Sequence, residues 1–591
     1  MIRFPWYVAG TLALLFAVQA CSDGSNEVAV ESSADNEIDA DIYRMAMEEG
    51  QEAEEAASGA ASSESAKMDE GSQAQAADPS DQADEDTAGP GESPDTDEAS
   101  AESPEAAPPT GDTVQAPARF GFQTVNALAR QLALNDYKPP ASAPEDAAGL
   151  NYDQFRRIQN LPGSELWSDD GSAFRVSLDP RGYLFRQQVK VNIIEEGKPV
   201  RKSYEPGQFD FLDLPLSEET VETLGYSGFR LLAPFAEAGK YDEVISFRGA
   251  SFFRALGAGA VYGASARGLS VGTASSEGEE FPRFREFWLV KPKPGDTTFR
   301  IFALLDGESV TGAYEFTVEP GPDTEVKVRA VIHPRRNLSN FGVVPLTSMY
   351  FFSPHDLAKQ PNDFRPAVHD SEGLSFQLAN GEWVWRPLTN PNALQVSILA
   401  QDVPLGFGLM QRQRDFDDYS DIEAGYHLRP SVWVRPGEGW QKGELTLVEI
   451  PTVNEYNDNI VVFWKPGQAW EKGKAYPFSY TLNWGMMSPV LPGVVRVAET
   501  RAGRVPDSER RLFVIDFDSS DSRLLAGADA DVSSSAGAVS NVTLKQHPDT
   551  GLMRLSFELD PEQADTAELR ALLTRAGKPV TETWIYRWRA S

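Results

Sequence analysis

The sequence contains very little cysteine and histidine. Its 591 residues include one cysteine, Cys21, and five histidines. A single thiol excludes an intramolecular disulfide, which needs two cysteines. The histidines show no HxxxH pair and no other metal-ligand spacing; they are His333, His355, His369, His427 and His547. The sequence therefore predicts no metal site.

Phosphate-binding glycine loops are also missing. The stretch GAGAVYGASARG, residues 257–268, is rich in glycine but lacks the Lys-Ser/Thr ending of a P-loop. It also lacks the strand-turn-helix setting of a dinucleotide site. We therefore expect no cofactor, and we interpret these glycines as positions for a turn or a close backbone approach.

Positive charge is scarce. The chain has 53 Lys and Arg against 89 Asp and Glu, a formal net charge of -36. Because nucleic-acid binding depends on basic surfaces that neutralise phosphates, this balance argues against nucleic acid as a partner. Residues 22–115 alone hold 27 acidic and two basic side chains. The remainder is only mildly acidic, which is typical of a soluble domain.

The N-terminus, MIRFPWYVAGTLALLFAVQAC, has the features of a secretory leader. One early Arg precedes an apolar segment from Trp6 to Ala20, which is shorter than the roughly 20 residues that span a bilayer. The ending VQAC resembles the lipobox of bacterial lipoproteins, and Ser22 follows the cysteine. We predict a lipoprotein signal peptide over residues 1–20 and lipidation of Cys21. This predicts a periplasmic protein whose one membrane contact is a lipid anchor in the outer membrane. The alternative is an ordinary signal peptide with a chance cysteine.

Residues 21–115 are rich in Ala, Glu, Asp, Ser, Gly and Pro and have almost no aromatics. Such a segment cannot bury enough apolar surface to offset its chain entropy, and its charges repel one another. We predict a disordered acidic tether that holds a globular body away from the membrane. An acidic binding tail is the functional alternative.

The rest of the chain is mainly β by its pattern. The stretch 122–140 predicts a helix that Pro139 and Pro140 stop, and Ser217 predicts the cap of a second, short helix. Apolar alternation over residues 299–332, broken by DGES and EPGPDT, predicts an antiparallel meander. We expect a large β-sandwich over residues 116–490 and a small immunoglobulin-like β-sandwich over residues 491–591. Within the latter, PEQADTAELRALLTRAGKP predicts one helix that ends at Gly577.

Acids, arginines and aromatics are concentrated between residues 350 and 465. Trp385, Arg414 and Asp415 are examples, and the same region holds Asp370, Tyr426, Glu455 and Asp458. Aromatic faces stack on sugar rings, and Arg and carboxylates bind hydroxyls, so this composition suits a saccharide groove. Hydrolysis of a glycosidic bond needs two carboxyl groups. The same composition also suits buried Arg–Asp ion pairs and ordinary aromatic core.

Several long motifs resemble the periplasmic glucan biosynthesis proteins G and D. They occur in order from about Phe120 to the C-terminus and include YDEVISFRGASFFRALGAGAVYGASARGLSVGTA, DFRPAVHDSEGL, WRPLTNP, GFGLMQRQRDFDDYSDIEAGYHLRPSVWV and LVEIPTVNEYNDNIVVFW. The resemblance implies a large galactose mutarotase-like β-sandwich joined to a small immunoglobulin-like domain. It implies a role in making osmoregulated periplasmic glucans, whose backbone is β-1,2-linked glucose. It also implies kinship with inverting glycoside hydrolases that act on β-1,2-glucan.

The resemblance also implies roles for individual residues. The general acid corresponds to Asp458, and the general base to Asp370, which would reach the attacking water through a proton relay. Tyr426 and Glu455 correspond to positions that line the cleft. We hypothesise that Asn457 and Asn459 orient Asp458 by neutral hydrogen bonds, because a partner Arg would lower its pKa. An Asx turn at a strand start is the structural alternative.

Two other classes of function remain open at this point. One is a non-catalytic glucan-binding factor that receives the nascent chain from a membrane glucosyltransferase. That factor would need the groove but not Asp458. The other is a mutarotase-like isomerase, which only the analogy of fold suggests.

Overall fold

The computed structural model describes residues 119–235, 239–356, 362–486, 489, 491, 493–518 and 522–590. The predicted signal peptide, the predicted tether and Cys21 lie outside these residues. Among the residues described, no helix has the length and apolar character needed to cross a membrane.

Both predicted N-terminal helices are confirmed. The first, α1, buries Val125 and Leu128 completely against a cluster that includes Trp288. The second begins after Ser217, whose hydroxyl accepts a hydrogen bond of 3.1 Å from the Thr220 N–H. The helices are α1 (Phe122–Ala133), α2 (Glu145–Ala148), α3 (Tyr152–Phe155), α4 (Glu218–Thr223) and α5 (Ser522–Leu525).

Strands make up most of the described chain. Up to residue 485 they are β1 (Gln159–Asn160), β2 (Arg175–Pro180), β3 (Lys190–Glu195), β4 (Lys198–Arg201), β5 (Phe209–Asp210), β6 (Tyr226–Ala233), β7 (Asp242–Arg248), β8 (Phe252–Ala255), β9 (Ser265–Arg267), β10 (Leu269–Val271), β11 (Arg283–Val290), β12 (Phe299–Asp306), β13 (Val310–Glu319), β14 (Thr324–Pro334), β15 (Phe341–Ser348), β16 (Tyr350–Phe352), β17 (Val368–His369), β18 (Gly373–Gln377), β19 (Trp383–Pro387), β20 (Gln395–Ala400), β21 (Gly406–Met410), β22 (Ser431–Pro436), β23 (Gly443–Glu449), β24 (Ile460–Pro466) and β25 (Tyr476–Gly485).

The C-terminal strands follow residue 496. They are β26 (Val497–Arg504), β27 (Arg511–Phe517), β28 (Asp529–Ser534), β29 (Ala538–Gln546), β30 (Met553–Asp560), β31 (Thr566–Arg575), β32 (Lys578–Pro579) and β33 (Thr583–Arg589).

Two large sheets enclose the main hydrophobic core. The first has ten strands in the order β2-β6-β7-β8-β9-β15-β24-β23-β20, with β10 pairing β15. The second runs β28-β31-β33-β19-β18-β21-β22-β25-β14-β13-β12-β11-β3-β4, with β32 pairing β31. Side chains of both sheets meet in one cluster, as where Phe247 on β7 and Phe316 on β13 have ring centroids 5.0 Å apart. The predicted large β-sandwich is confirmed, and so is the meander, which forms β12, β13 and β14.

The C-terminal strands form the predicted small sandwich. One layer is the four-stranded sheet β26-β27-β30-β29, and the other is β28-β31-β33, which continues the larger sheet. Strand β33 pairs in parallel with β19, so that Trp584 lies beside Trp385. This arrangement of seven strands in two layers matches the immunoglobulin-like expectation.

The helix predicted over residues 561–579 is wrong. Residues 566–575 form β31, in which Ala567, Leu569, Ala571 and Leu573 are buried at every second position. That period matches a strand with one face on a core. Pairing with β28 and β33 therefore overrides the helix preference of the Ala, Leu and Arg residues in this segment.

A buried ion pair joins β26 and β33 to the chain after β21. Both terminal nitrogens of Arg412 donate to the Glu582 carboxylate at 2.7 Å, and the Val497 N–H donates to it at 2.8 Å. The side chains of Arg412 and Glu582 are 2% and 0% exposed. The Arg412 guanidinium also lies 3.6 Å from the centre of the Trp385 ring. The two sandwiches thus share a desolvated charge pair as well as a sheet.

Candidate active site

A groove of about 680 Å³ lies along the ten-stranded sheet. Arg230, Ser246 and Arg254 line its floor because neighbouring strands place them in register, and Ser177 continues their row outside the lining. Ser177 on β2 is opposite Arg230 on β6, Arg230 is opposite Ser246 on β7, and Ser246 is opposite Arg254 on β8. One row of hydroxyl and guanidinium groups therefore crosses four strands, a suitable surface for a polyhydroxylated ligand.

Charged partners hold this row in place. Arg230 donates to Asp179 at 3.0 Å, and its guanidinium is 3.9 Å from the Glu243 carboxylate. The Tyr262 hydroxyl donates to Glu243, and both side chains line the groove. Burial raises the pKa of Glu243, while Arg230 opposes that rise. The floor of the groove thus presents hydrogen-bond donors and acceptors whose positions are fixed by these ion pairs.

Asp458 lies beside this groove, two residues before β24. One carboxylate oxygen is 3.9 Å from the Arg254 guanidinium, and the side chain is 15% exposed. Burial raises the pKa of Asp458 to about 6, although Arg254 favours the ionised form. The negative charge of Asp370 adds to the rise, and a hydrogen bond with the Thr347 hydroxyl opposes it. Asp458 can therefore hold a proton at pH values where an ordinary aspartate is ionised, and its side chain is still accessible to a ligand.

The hypothesis about the flanking amides is wrong for Asn459. Its side-chain oxygen accepts from the Tyr350 N–H at 2.8 Å, and its nitrogen donates to the Ile450 carbonyl at 3.0 Å. Asn459 thus fixes the backbone at the start of β24 rather than the Asp458 carboxyl. The expected absence of a partner Arg is also wrong, because Arg254 is present. Burial, not isolation from cations, accounts for the raised pKa.

Asp370 follows β17 and is 1% exposed. Its N–H donates to the Met349 carbonyl at 2.8 Å, and its carboxylate forms an ion pair with Arg429. Burial raises the pKa of Asp370, while Arg429 and Arg254 oppose the rise. The direct contact with Arg429 favours the carboxylate, which is the form that can accept a proton.

Glu455 and Tyr426 lie close enough to Asp370 to interact with it electrostatically. Arg365 binds Glu455 at 2.6 Å, together with Asp363 at 2.8 Å and Asp421 at 3.1 Å. The charges of Glu455 and Asp370 act on the Tyr426 hydroxyl, whose pKa is raised mainly by burial. The structure therefore brings Asp458, Asp370, Tyr426 and Glu455 into one electrostatically coupled group.

The structure does not bring Trp385 into this group. Its ring is 1% exposed and packs in the C-terminal core under Arg412, so a sugar cannot stack on it. The sequence misled because an aromatic residue suits a core as well as a saccharide site.

Arg414 and Asp415 have structural contacts. Arg414 donates to the carbonyls of His427, at 3.1 Å, and Arg429, which orders the chain that carries Arg429. Asp415 is exposed and caps the 3₁₀ turn Phe416–Asp418 in a reciprocal capping box with Asp418. Direct substrate binding by either residue remains a prediction without support from these contacts.

Arg254, Arg230, Glu243 and Tyr262 were missed by the sequence analysis. The available signal was weak: the three charged residues lie in apolar strands before the glycine-rich segment 257–268, and Tyr262 lies within that segment. The glycine interpretation fits one position well. A Cβ at Gly263 would lie 3.0 Å from the Cβ of Arg429, so this glycine permits the close approach that places Arg429 against Asp370.

Residues 268–272, GLSVG, match the GxSxG pattern of a nucleophile elbow. However, Ser270 is 1% exposed and lies within β10, opposite Gly342 of β15. An elbow needs an exposed serine at a strand-to-helix turn, so Ser270 is not placed for nucleophilic attack. No group of three His, Cys, Asp or Glu that could hold a metal ion occurs within the described ranges.

Comparison with known families and proteins gives a consistent result. Residues 120–588 match the family model described as "Periplasmic glucan biosynthesis protein, MdoG". The chain is similar to "Glucans biosynthesis protein G" of Vibrio cholerae serotype O1, with 43% identity over 475 residues, 79% of this chain and 87% of that protein. It is also similar to the protein of the same name from Shewanella frigidimarina, with 42% identity over 477 residues, 80% of this chain and 85% of that protein.

A solved structure, a galactose mutarotase related enzyme from Lactobacillus acidophilus, is a distant neighbour. It is 8% identical, covers 42% of this chain and 98% of its own, and has a TM-score of 0.19. That score is too low to inform either the fold or the function.

Proposed function

The chain belongs to the periplasmic glucan biosynthesis protein family, and we propose that it binds β-1,2-linked glucan and cleaves it by an inverting acid/base mechanism. The substrate lies in the groove of the large sandwich, here assigned to residues 116–490. The small sandwich, residues 491–591, is joined to the large one through the fifteen-stranded sheet and the Arg412–Glu582 pair.

The observation that carries the proposal is the state of Asp458. A carboxyl group with a pKa of about 6 that is partly exposed beside a polar groove is suited to protonate a leaving oxygen. An ordinary surface aspartate would be ionised and could not do so. The coupled charge of Asp370 supports a division of labour, because two such carboxyls favour opposite protonation states.

The mechanism follows from this division. Asp458 donates its proton to the glycosidic oxygen as the bond to the anomeric carbon breaks. A water attacks that carbon from the opposite face and loses a proton that ends on Asp370. Because Asp370 is 1% exposed, the proton must pass through intervening groups, in agreement with the relay that the family resemblance implies. Asp458 then regains a proton from solvent, and the proton on Asp370 returns to solvent by the same relay.

Cleavage should depend on pH through Asp458. The protonated fraction of Asp458 falls as the pH rises through about 6, so kcat/KM should fall about tenfold for each further pH unit. The measurement is the release of reducing ends from linear β-1,2-glucan between pH 4 and pH 9, with β-1,3-glucan as the comparison substrate. Equal cleavage of both glucans would contradict the linkage preference.

One substitution tests the position of the alkaline limb, the pH range over which kcat/KM falls as Asp458 loses its proton. Arg254→Gln removes a cation that favours ionised Asp458, so the limb should move to higher pH. Arg336→Gln, an arginine that is 63% exposed, is the matched control and should leave the limb in place. An unmoved limb in Arg254→Gln would mean that another group sets it.

The same assay separates the alternative, a glucan-binding factor that serves a membrane glucosyltransferase. Such a factor binds linear β-1,2-glucan, as isothermal titration would show, but releases no reducing ends at any pH. Unchanged glucan together with tight binding would therefore favour the carrier over the hydrolase.

We also propose that Cys21 carries a lipid that holds the protein at the periplasmic face of the outer membrane. The support is the VQAC sequence and the position of the chain's single thiol. Cells that express the protein and grow with radiolabelled palmitate should label the wild type and not Cys21→Ala. Equal labelling of both proteins, or none of the wild type, would contradict the anchor.

A further inference from the structure

A small basic pocket that Asp458 does not line lies where the segment after α1 meets β3, β11 and β12. Its charged lining consists of Lys138, Lys190, Arg283 and Arg285 against a single acid, Asp306. The pocket has a volume of about 20 Å³, enough for about one water or one oxygen of an oxyanion, so a larger anion would be only partly enclosed. Four cations around one carboxylate are unusual in a chain with a net charge of -36.

The one carboxylate in this pocket is already engaged. Asp306 accepts from Arg285 at 2.7 Å through one oxygen and from Arg335 at 2.8 Å through the other. Arg283 is directly opposite Asp306 in the pairing of β11 with β12. Asp306 therefore shares its two oxygens between Arg285 and Arg335 while Arg283 lies on the opposite strand.

Arg283 has donors that the protein does not satisfy. The side chain is 5% exposed, and Nη2 donates to the Gln188 carbonyl at 3.1 Å, while Nε and Nη1 have no hydrogen-bond acceptor. Burial lowers the pKa of Arg283 to about 10, although a hydrogen bond to Tyr137 and the charges of Tyr137 and Asp306 oppose that change. A buried guanidinium with free donors destabilises the fold unless an acceptor fills the space.

We propose that this pocket binds a phosphate-type oxyanion through Arg283, with Lys138, Lys190 and Arg285 around it. A guanidinium presents its donors as a planar fork that matches the oxygens of phosphate. The attraction is local, since the field of the whole acidic chain repels anions.

The position of the pocket suggests where the phosphate comes from. An adjoining cavity of about 50 Å³ is also lined by Arg283, and it shares Phe185, Arg186 and Arg248 with the long groove. A phosphate group on a sugar chain in the groove can therefore extend toward Arg283. Free inorganic phosphate offers the same chemistry. The saccharide source depends on the glucan binding proposed above, and the phosphate site itself does not.

Titration of the mature full-length protein with inorganic phosphate at fixed low ionic strength tests the site. We expect saturable binding that weakens about tenfold or more in Arg283→Met, since a charged hydrogen-bonding pair is lost. Lys138→Gln should weaken it as well, and because Lys138 is exposed this variant keeps the test valid if Arg283→Met does not fold. Lys327→Gln, at a lysine that is 61% exposed on β14, is the control. The proposal would be overturned if the wild type bound no phosphate, or if Arg283→Met and Lys138→Gln bound phosphate as tightly as the wild type.

A second titration distinguishes the two sources. The probes are a β-1,2-glucooligosaccharide with one phosphate monoester and the same oligosaccharide without it. Tighter binding of the phosphorylated sugar than of either free phosphate or the plain sugar, lost in Arg283→Met, indicates a substituent on the glucan. Binding of free phosphate without that gain indicates the free ion. Phosphate binding without any sugar binding would refute the glucan function and leave the anion site standing.

Discussion

Asp458→Asn is expected to reduce cleavage of β-1,2-glucan by about 10²–10⁴-fold, the usual contribution of a general acid. Asparagine has the same shape and can keep the hydrogen bond to the Thr347 hydroxyl, but it has no acidic proton to give to the leaving oxygen. The measurement is the rate of reducing-end release at pH 5, where the wild-type carboxyl is mostly protonated. Glucan affinity should persist, because the row of groups from Ser177 to Arg254 is unchanged.

Asp417→Asn is the matched control for that experiment. Asp417 is an exposed acid in the turn Phe416–Asp418, so its loss should not alter the rate. Wild-type cleavage by Asp458→Asn would remove Asp458 from the mechanism. Loss of binding as well as cleavage would mean that the carboxyl holds the substrate rather than protonating it.

Glu582→Leu is expected to lower the free energy of unfolding by about 3–5 kcal/mol, because it leaves the Arg412 guanidinium buried without its carboxylate. Arg412 is 2% exposed, so solvent cannot compensate for the lost partner. Denaturation in urea, followed by tryptophan fluorescence, gives the value. The effect should be far larger than the roughly 0–1 kcal/mol of a surface ion pair.

The double variant Arg412→Met/Glu582→Leu should be more stable than Glu582→Leu alone. Removing both charges leaves no unpaired buried ion, and Met can still cover the Trp385 ring. Lys474→Met breaks a pair whose side chains are 60% and 58% exposed and serves as the surface control. The single variant Arg412→Met completes the comparison. If the changes in the free energy of unfolding of Arg412→Met and Glu582→Leu simply add in the double variant, the two side chains are not coupled and this account fails.

The sequence predicted local structure better than it predicted contacts between distant segments. Alternation over residues 299–332 was enough for the meander, since a sheet with one buried face imposes a period of two. The segment 566–575 has the same period but also good helix formers, and only its pairing with β33 decides between them. Trp385 could not be assigned, because the sequence does not say whether an aromatic ring is covered.

The candidate site shows the same limit. The family resemblance located Asp458 and Asp370 because each lies in a recognisable motif. Arg254 precedes Asp458 by some 200 residues, and it reaches Asp458 only because the sheet places β8, β9, β15 and β24 side by side. Apolar alternation identifies a strand but does not give the order of strands in the sheet.

The parallel pairing of β33 with β19 has a consequence for biogenesis. Thr583 and Trp584 of β33 lie beside Val384 and Trp385 of β19, although about 200 residues of chain separate the two strands. A chain in which β33 has not yet been translated therefore lacks the strand that pairs with β19, and the long sequence separation between the two strands makes this pairing slow. Late pairing of β33 with β19 would favour export to the periplasm, because a chain that folds late is still unfolded when it passes through a narrow export channel.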